Sequence, residues 1–288
     1  MKRCSRILSI LLFFLWAFSR AFAQTEAPTF PDKNLEAAVR KHLFAPEKLN
    51  EEELRKLSTI KSTGTGIRDL KGIEKCTSLA LLDLSGNQIV DLSPLKGLTG
   101  LQYLNLSGNK IHDLSPLSGL SGLQYLELTG NEVTDLTPIS NLTALNALYL
   151  AKNKIKNIGP LSGLNKLASL YLEGNQIVNI KPVANLKNLS TLDLTGNQVA
   201  DLSPLSALTG LRYLLLDMNR ITDVGTLVAM AKKDFEGEKN FAPYLWLYLS
   251  GNPLSAPARK NQLAELKNYG VRVNFEEKQS STKERRSL

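Results

Sequence analysis

Histidine and cysteine, the residue types that most often ligate metals or act as nucleophiles, are scarce in this sequence. It contains two histidines, His42 and His112, and two cysteines, Cys4 and Cys76, among 288 residues. The histidines lie 70 residues apart, which does not indicate a histidine metal site or a catalytic triad. Two cysteines are too few for a disulfide framework or a cysteine-rich zinc site. Because nucleophile-elbow, metalloprotease, phosphate-loop and dinucleotide-binding motifs are also absent, we expect no enzyme, no metal and no cofactor.

Tyrosine is the residue type whose spacing does indicate a chemistry, that of binding. Tyr103 and Tyr125 are 22 residues apart, and so are Tyr149 and Tyr171. Exposed aromatic side chains are frequent anchors of binding interfaces. This spacing requires a repeating backbone that places the rings on one surface.

The central part of the chain has such a repeat. Asparagine recurs every 22 residues at seven positions from Asn87 to Asn219, and Asn252 follows after 33 residues. Around each lies the pattern L-x-x-L-x-L-x-x-N-x-[IV]. Counted from the first Leu, positions 1, 4, 6, 11, 14, 17 and 20 are Leu, Ile, Val or Met in all seven repeats from Leu79 to Met230. This is the leucine-rich-repeat pattern, in which stacked coils share one core.

The spacing within each repeat predicts its elements. Positions 4 and 6 alternate with polar neighbours, which indicates a strand with one buried face. About ten residues remain between each Asn and the next strand, too few for a full α-helix with both turns. The fold prediction is an α/β solenoid with a parallel sheet on the concave face and a 3₁₀ or extended convex side. Each Asn should point inward and bond backbone groups.

We divide the chain into five segments. They are a signal peptide (1–23), a helical N-terminal cap (24–56), the solenoid (57–252, with an insertion at about 231–243), a helix-and-strand C-terminal cap (253–275) and a disordered tail (276–288). The insertion leaves room for a convex helix over Thr226 to Phe235. The signal peptide has a basic start, an apolar stretch at 7–18 and a small-residue cleavage site at 21–23. Its apolar stretch is too short to span a bilayer, so we expect a secreted or periplasmic protein without a membrane span.

The net charge supports no nucleic-acid partner. The formal charge is +8, but four basic residues lie in the signal peptide and its removal leaves +4. Most of the remainder lies in the C-terminal tail. The folded part therefore lacks the basic surface that phosphate binding requires.

Several of these features resemble one known family. The 22-residue period, the DLSPL turn and the Phe30-Pro31-Asp32 start before a capping helix are similar to the internalin-like family of bacterial leucine-rich-repeat proteins. The resemblance implies binding of host or other proteins through the concave face. Unlike the surface-anchored members, the sequence shows no sorting signal, C-terminal apolar segment or Ig-like domain after the repeats. Export without attachment is therefore expected.

The candidate site follows from the residues that point out of the predicted strands. Repeat positions 3, 5 and 7 should face solvent on the concave side, and six of the eight tyrosines occupy positions 3 and 5. Two explanations of this placement remain open. Tyr favours strands and duplicated repeats copy residues, or the exposed rings, flanked by acids, form a recognition surface. The proposed aromatic anchors are Tyr103, Tyr125, Tyr149, Tyr171, Tyr213, Trp246 and Tyr248. The proposed acidic flank is Asp83, Glu127, Glu173, Asp193 and Asp217.

These positions predict an exported, non-enzymatic recognition module that binds a protein or peptide. Five acids and no Lys or Arg among the counted positions favour a partner with basic and apolar groups. A glycan-binding envelope module is one alternative, because aromatic rings also stack on sugars. A structural repeat protein without a specific ligand is another. We expect a monomer.

Three remaining reactive side chains are assigned structural or surface roles. Cys76 occupies a position that is Leu in the following repeats, so a buried, inert thiol is expected. His42 lies at the edge of the apolar stripe of the first predicted helix. His112 lies in a turn where other repeats have Val, Thr, Lys or Ala, and it should be a surface residue.

Overall fold

The computed structural model describes residues 30–43, 47 and 49–276. The predicted signal peptide and residues 277–288 of the predicted tail lie outside this part of the chain.

Ten short parallel strands form a single sheet in chain order. Each strand has three residues and pairs with the next one without a shift in register, so that Leu104 lies opposite Leu126 and Leu126 opposite Leu148. The strands are β1 (Thr59–Lys61), β2 (Leu81–Asp83), β3 (Tyr103–Asn105), β4 (Tyr125–Glu127), β5 (Ala147–Tyr149), β6 (Ser169–Tyr171), β7 (Thr191–Asp193), β8 (Tyr213–Leu215), β9 (Trp246–Tyr248) and β10 (Arg272–Asn274).

The repeat pattern accounts for the core. All seven apolar positions are buried in all seven repeats from Leu79 to Met230. The middle residue of each strand from β2 to β9 points into this core, while its two neighbours are more accessible, apart from Asp193. The predicted parallel sheet is therefore confirmed, and its outward residues form one continuous surface.

Short 3₁₀ turns form most of the convex side, as predicted. In six repeats a proline is the second residue of the turn, where no intrahelical donor is lost. An Asp or Asn two residues ahead of the turn accepts a backbone N–H, as Asp91 does from Ser93 at 2.8 Å. The turns are Ile73–Lys75, Ser93–Leu95, Ser115–Leu117, Thr137–Ile139, Gly159–Gly163, Lys181–Asn185, Ser203–Leu205 and Ala242–Tyr244.

The repeated asparagines form the predicted ladder. The Oδ1 of Asn131 accepts the N–H of Ile111 in the preceding coil at 3.0 Å, and its Nδ2 donates to the carbonyls of Leu106 and Leu128. The same pattern recurs in the other repeats. Each buried amide therefore satisfies backbone groups of two coils.

A helical cap covers the N-terminal end of the core. It contains α1 (Lys33–His42) and α2 (Glu51–Lys56). Asp32 caps α1 and also accepts the N–H groups of Arg68 and Asp69, which ties the cap to the first coil. Burial opposes ionisation of this carboxyl, but these backbone hydrogen bonds outweigh it and lower its pKa.

Phe30 and His42 also join the cap to the sheet. The Phe30 ring packs where a Cβ on Gly72 would stand 2.6 Å from it, so this close approach requires glycine. His42 Nδ1 contacts the Ala38 carbonyl at 2.8 Å, and His42 Nε2 accepts the N–H of Lys61 at 3.3 Å. His42 therefore has a structural role between α1 and β1.

The C-terminal end combines helices with a last strand. Helix α3 (Gly225–Phe235) is the convex helix that the sequence predicts, and its C-terminal half enters the insertion. A turn of π-helix (Ala258–Gln262) leads into α4 (Leu263–Asn268). The helix ends shortly before Gly270, whose backbone has a left-handed conformation. Strand β10 then pairs with β9.

Candidate binding site

The outward residues of strands β2 to β9 form the surface named here the concave face, made of repeat positions 3, 5 and 7. The register places equivalent positions directly opposite each other, so Tyr103 faces Tyr125 and Tyr149 faces Tyr171 on neighbouring strands. All twelve residues proposed from the sequence lie on these strands or in the two residues after them. The sheet therefore brings them onto one surface.

Four tyrosines in consecutive strands form a column of contacting rings. The rings of Tyr103 and Tyr125 stack with centroids 4.2 Å apart and planes within 9°. Tyr149 and Tyr171 stack at 4.6 Å and 7°. A tilted contact at 5.1 Å between Tyr125 and Tyr149 joins the two pairs, where the aromatic column passes from position 3 to position 5. Because each ring covers its neighbour, these rings are half-buried.

The rings at the C-terminal end of the concave face are more accessible. Tyr213 is 46% exposed and Trp246 is 38% exposed. The guanidinium of Arg272 lies 4.9 Å from the centroid of the Trp246 ring, a cation–π contact. Tyr248 is half-buried beside them. This end presents aromatic surface that no described aromatic ring stacks on.

Most of the predicted acidic residues bond the backbone at the strand ends. The carboxylate of Asp83 accepts the N–H of Ser85, and that of Glu127 accepts the N–H of Thr129. Asp193 accepts in the same way from Thr195, and Asp217 accepts from Ser250 of the next repeat. These carboxylates therefore help to turn the chain, in addition to making the face acidic.

One expectation about these acids requires correction. Asp193 was expected to flank the rings as an accessible carboxylate, but it is only 7% exposed. Its neighbours at position 5 are Tyr171 on β6 and Leu215 on β8. Larger side chains thus flank Asp193 on both neighbouring strands. The alternation of a strand predicts which side a residue faces but not how far its neighbours cover it.

Burial changes the ionisation of several groups on this surface. Desolvation raises the pKa of Glu127 despite its hydrogen bonds from Thr129. Desolvation also raises the pKa of Asp217, and the nearby charge of Asp193 adds to it. The pKa values of Tyr125 and Tyr149 are raised as well, chiefly by burial. At neutral pH Tyr125 and Tyr149 are therefore neutral phenols rather than phenolates.

The sequence interpretation missed four residues around this surface. Lys152 and Met218 occupy repeat position 8, which is glycine in the other repeats, and both take a left-handed backbone conformation. Met218 is 58% exposed, and the Lys152 side chain is exposed too. Lys61 and Arg272 lie at the two ends of the sheet, opposite Asp83 and Trp246. The break in the glycine column is visible in the sequence, and Lys61 lies one 22-residue period before Asp83. Only Arg272, 26 residues after Trp246, falls outside the regular period.

The described residues contain no group of three or more His, Cys, Asp or Glu side chains that could hold a metal ion. Cys76 is fully buried, and desolvation raises the pKa of its thiol to about 12. A thiolate is the reactive form, so this side chain is inert at neutral pH. His112 is exposed in its turn.

Sequence and structure comparisons agree with this geometry. The family described as "Leucine Rich repeats (2 copies)" matches residues 99–142, 143–186 and 187–229. This chain is similar to an internalin (InlF) from Listeria monocytogenes, known from a crystal structure, with 30% sequence identity and a TM-score of 0.75. The alignment covers 88% of this chain and 74% of InlF. Internalin C2 (InlC2) from the same organism has 31% sequence identity and a TM-score of 0.66, and the alignment covers 86% of this chain and 94% of InlC2.

The chain belongs to the internalin-like family of leucine-rich-repeat proteins. The expected resemblance and fold are confirmed. A leucine-rich-repeat protein of Leptospira interrogans is also similar, with 25% identity, 72% and 57% coverage, and a TM-score of 0.62. No curated protein sequence matches the chain. In the described part of this internalin-like chain, no helix has the length and apolar character to cross a bilayer.

Proposed function

We propose that this chain is an exported, non-enzymatic recognition module that binds a protein or peptide through the concave face. The observation that carries the proposal is the aromatic surface of the concave face. It consists of the stacked rings from Tyr103 to Tyr171 and, beyond strand β7, the accessible rings of Tyr213 and Trp246. Tyr and Trp contribute large, rigid contact areas and are enriched among binding hot spots. Export rests on the signal-peptide pattern at 1–23.

The dimensions of the surface suit a macromolecular partner. Eight strands at about 4.8 Å spacing give a length of roughly 34 Å, comparable to a standard protein–protein interface. A related architecture is known in complex: the leucine-rich-repeat ectodomain of the receptor kinase GASSHO1/SCHENGEN3 from Arabidopsis thaliana is described with Casparian strip integrity factor 2. The alignment with that ectodomain has 28% sequence identity and a TM-score of 0.56. It covers 67% of this chain and 23% of the ectodomain.

Affinity capture with a chain that lacks residues 1–23 tests the proposal. Two baits are compared, the unmodified chain and a Tyr149→Ala/Tyr171→Ala variant, with a glycan array run in parallel. We expect a protein that the unmodified chain retains and the variant loses. Loss of glycan binding in the variant instead would favour a glycan-binding module. A folded chain that retains neither ligand would overturn the proposal and favour a structural role.

A further inference from the structure

Asp193 is a buried carboxylate in the middle of the concave face. It is 7% exposed, and every other buried polar side chain in the described residues is an asparagine. No Lys, Arg or His in the described part of the chain forms an ion pair with it. Burying a carboxylate without a cation is unfavourable, so this charge lacks the compensation that buried charges normally have.

One oxygen of this carboxylate is still available. Oδ1 accepts the N–H of Thr195 at 2.9 Å, whereas Oδ2 receives no hydrogen bond from the described residues. Every fully buried side-chain oxygen or nitrogen in the described part of the chain has a partner, so Oδ2 must keep some contact with solvent. A donor that approaches from the concave side can therefore reach it.

The fold does not need a charge at this position. Asn105 occupies the same repeat position on β3 and accepts the N–H of Ser107 at 3.0 Å, the equivalent of the bond made by Asp193. Tyr149 and Tyr171 occupy it on β5 and β6, so some coils form without any carboxylate or amide there. Folding thus explains an acceptor at residue 193 but not its negative charge.

A second carboxylate, Asp217, lies one strand away from Asp193 and two residues further along on the same face. Asp217 is two residues beyond Leu215, the direct neighbour of Asp193 on β8, and one of its oxygens accepts the N–H of Ser250. It has no ion-pair partner among the described residues either. The two like charges interact, which contributes to the raised pKa of Asp217. A cation between them would relieve both the repulsion and the desolvation.

The side chains around this pair suit a long cationic side chain. Tyr171 stacks on Tyr149 with one ring face, which leaves its other face towards β7 and Asp193. Leu215 lies on the opposite side of Asp193. An aromatic face binds cations, and aliphatic surface accommodates the methylene groups of Lys and Arg.

We propose that Asp193 and Asp217 form a subsite for one Lys or Arg side chain of the protein or peptide that the concave face binds. A guanidinium can bond both carboxylates at once, with its methylene groups between Tyr171 and Leu215. This proposal rests on the proposed function in one respect: that function supplies the partner whose Lys or Arg side chain enters the subsite.

A small-molecule titration tests the subsite without a known partner. The ¹⁵N-labelled chain that lacks residues 1–23 is titrated at low ionic strength with N-acetyl-arginine amide, and in parallel with uncharged N-acetyl-norleucine amide. We expect saturable NMR shifts of the Thr195 and Ser250 amide resonances with the arginine probe only. Asp193→Asn should weaken this binding by about tenfold and Asp217→Asn by several-fold, because each removes a charge-assisted hydrogen bond.

Asp201→Asn is the matched control, since Asp201 accepts the N–H two residues later in the same way but lies ahead of a convex turn, outside the concave face. It should leave arginine binding unchanged. An absent shift, an equal shift with the norleucine probe, or unchanged binding by Asp193→Asn would overturn the subsite. Because the probe is a single amino acid, loss of the subsite can be told apart from loss of the proposed function, which depends on a captured macromolecule.

Discussion

Asn153 Oδ1 accepts the backbone N–H of Val133, twenty residues earlier in the neighbouring coil, at 2.9 Å. Its Nδ2 donates to the carbonyls of Leu128 and Leu150. It also donates to the Ala151 carbonyl, so one buried amide bonds four backbone groups from two coils. Because a shift of one residue would leave these groups unpaired, the ladder accounts for the strict 22-residue spacing of the asparagines.

We expect Asn153→Ala to lower the free energy of unfolding by roughly 2–6 kcal/mol. The Val133 N–H is left unpaired, at about 1–3 kcal/mol, while the Leu128 and Leu150 carbonyls keep the amides of Asn131 and Asn175 and each lose one bond of about 0.5–1.5 kcal/mol. Urea denaturation followed by circular dichroism measures this. Asn141→Ala is the control, since the Asn141 side chain is exposed and bonds no described residue, and it should change stability little. A loss below about 1 kcal/mol in Asn153→Ala would show that the ladder does not stabilise the stack.

The left-handed backbone conformation of Lys152 and Met218 should lower the stability of the fold. Both have φ near +54° at a position where most repeats have glycine. A left-handed conformation costs a non-glycine residue roughly 1–2 kcal/mol, so Lys152→Gly and Met218→Gly should each raise the melting temperature. The reverse change, Gly130→Lys in the preceding repeat, should lower it. Unchanged melting in all three variants would mean that this conformation carries no penalty here.

The stability of the chain should depend on the ionisation of Asp217 with a definite sign. Its pKa is raised in the folded state, chiefly by burial, so the folded chain binds the proton more tightly than the unfolded chain. This carboxyl therefore destabilises the fold as the pH rises from about 4 towards neutrality. Asp217→Asn should melt slightly higher than the unmodified chain at pH 7, with the difference vanishing near pH 4.

Asp113→Asn offers the opposite case. Hydrogen bonds from the side chain and backbone of Ser115 lower the pKa of Asp113. Its contribution to stability is present at neutral pH and is lost as the pH falls through its folded-state pKa. Asp113→Asn should therefore melt slightly lower than the unmodified chain at pH 7. The same sign in both variants would contradict the assignment of burial and hydrogen bonding to the two sites.

Cys76 should resist labelling in the folded chain. Its thiol is fully buried with a pKa of about 12, so very little thiolate exists at neutral pH. A chain without residues 1–23 contains this thiol alone. Reaction with a thiol reagent should be slow in buffer and rapid in concentrated urea. Rapid labelling of the folded chain would show that the core opens near α2 and the first coils.

The fold was readily predicted because its signal repeats. Each inward Leu and each Asn occurs many times at one spacing, so the strands, the convex turns and the ladder follow from counting. The helix over residues 225–235 was predictable as well, because the inserted residues leave room for one. Its exact start was not, since Gly225 precedes the predicted first residue Thr226.

The candidate site was predicted in position but not in environment. The repeat placed Tyr103 and Tyr125 in one column, but ring stacking depends on side-chain rotamers that periodicity does not specify. Asp193 was assigned to the correct side of its strand, yet its burial depends on the size of Tyr171 and Leu215 in neighbouring coils. Lys152 occupies repeat position 8, which is neither an apolar position nor one of the outward positions 3, 5 and 7. The periods of those positions therefore do not reveal it.

The central claim is that the concave face binds a protein or peptide. The most direct test is the dissociation constant of the captured partner, measured by isothermal titration calorimetry. The Tyr149→Ala/Tyr171→Ala variant should bind about 10–100-fold more weakly, as loss of two aromatic hot spots predicts. Val178→Ala, which truncates an exposed apolar side chain outside the face, should bind as the unmodified chain does. Equal affinity of the double variant and the unmodified chain would contradict the claim.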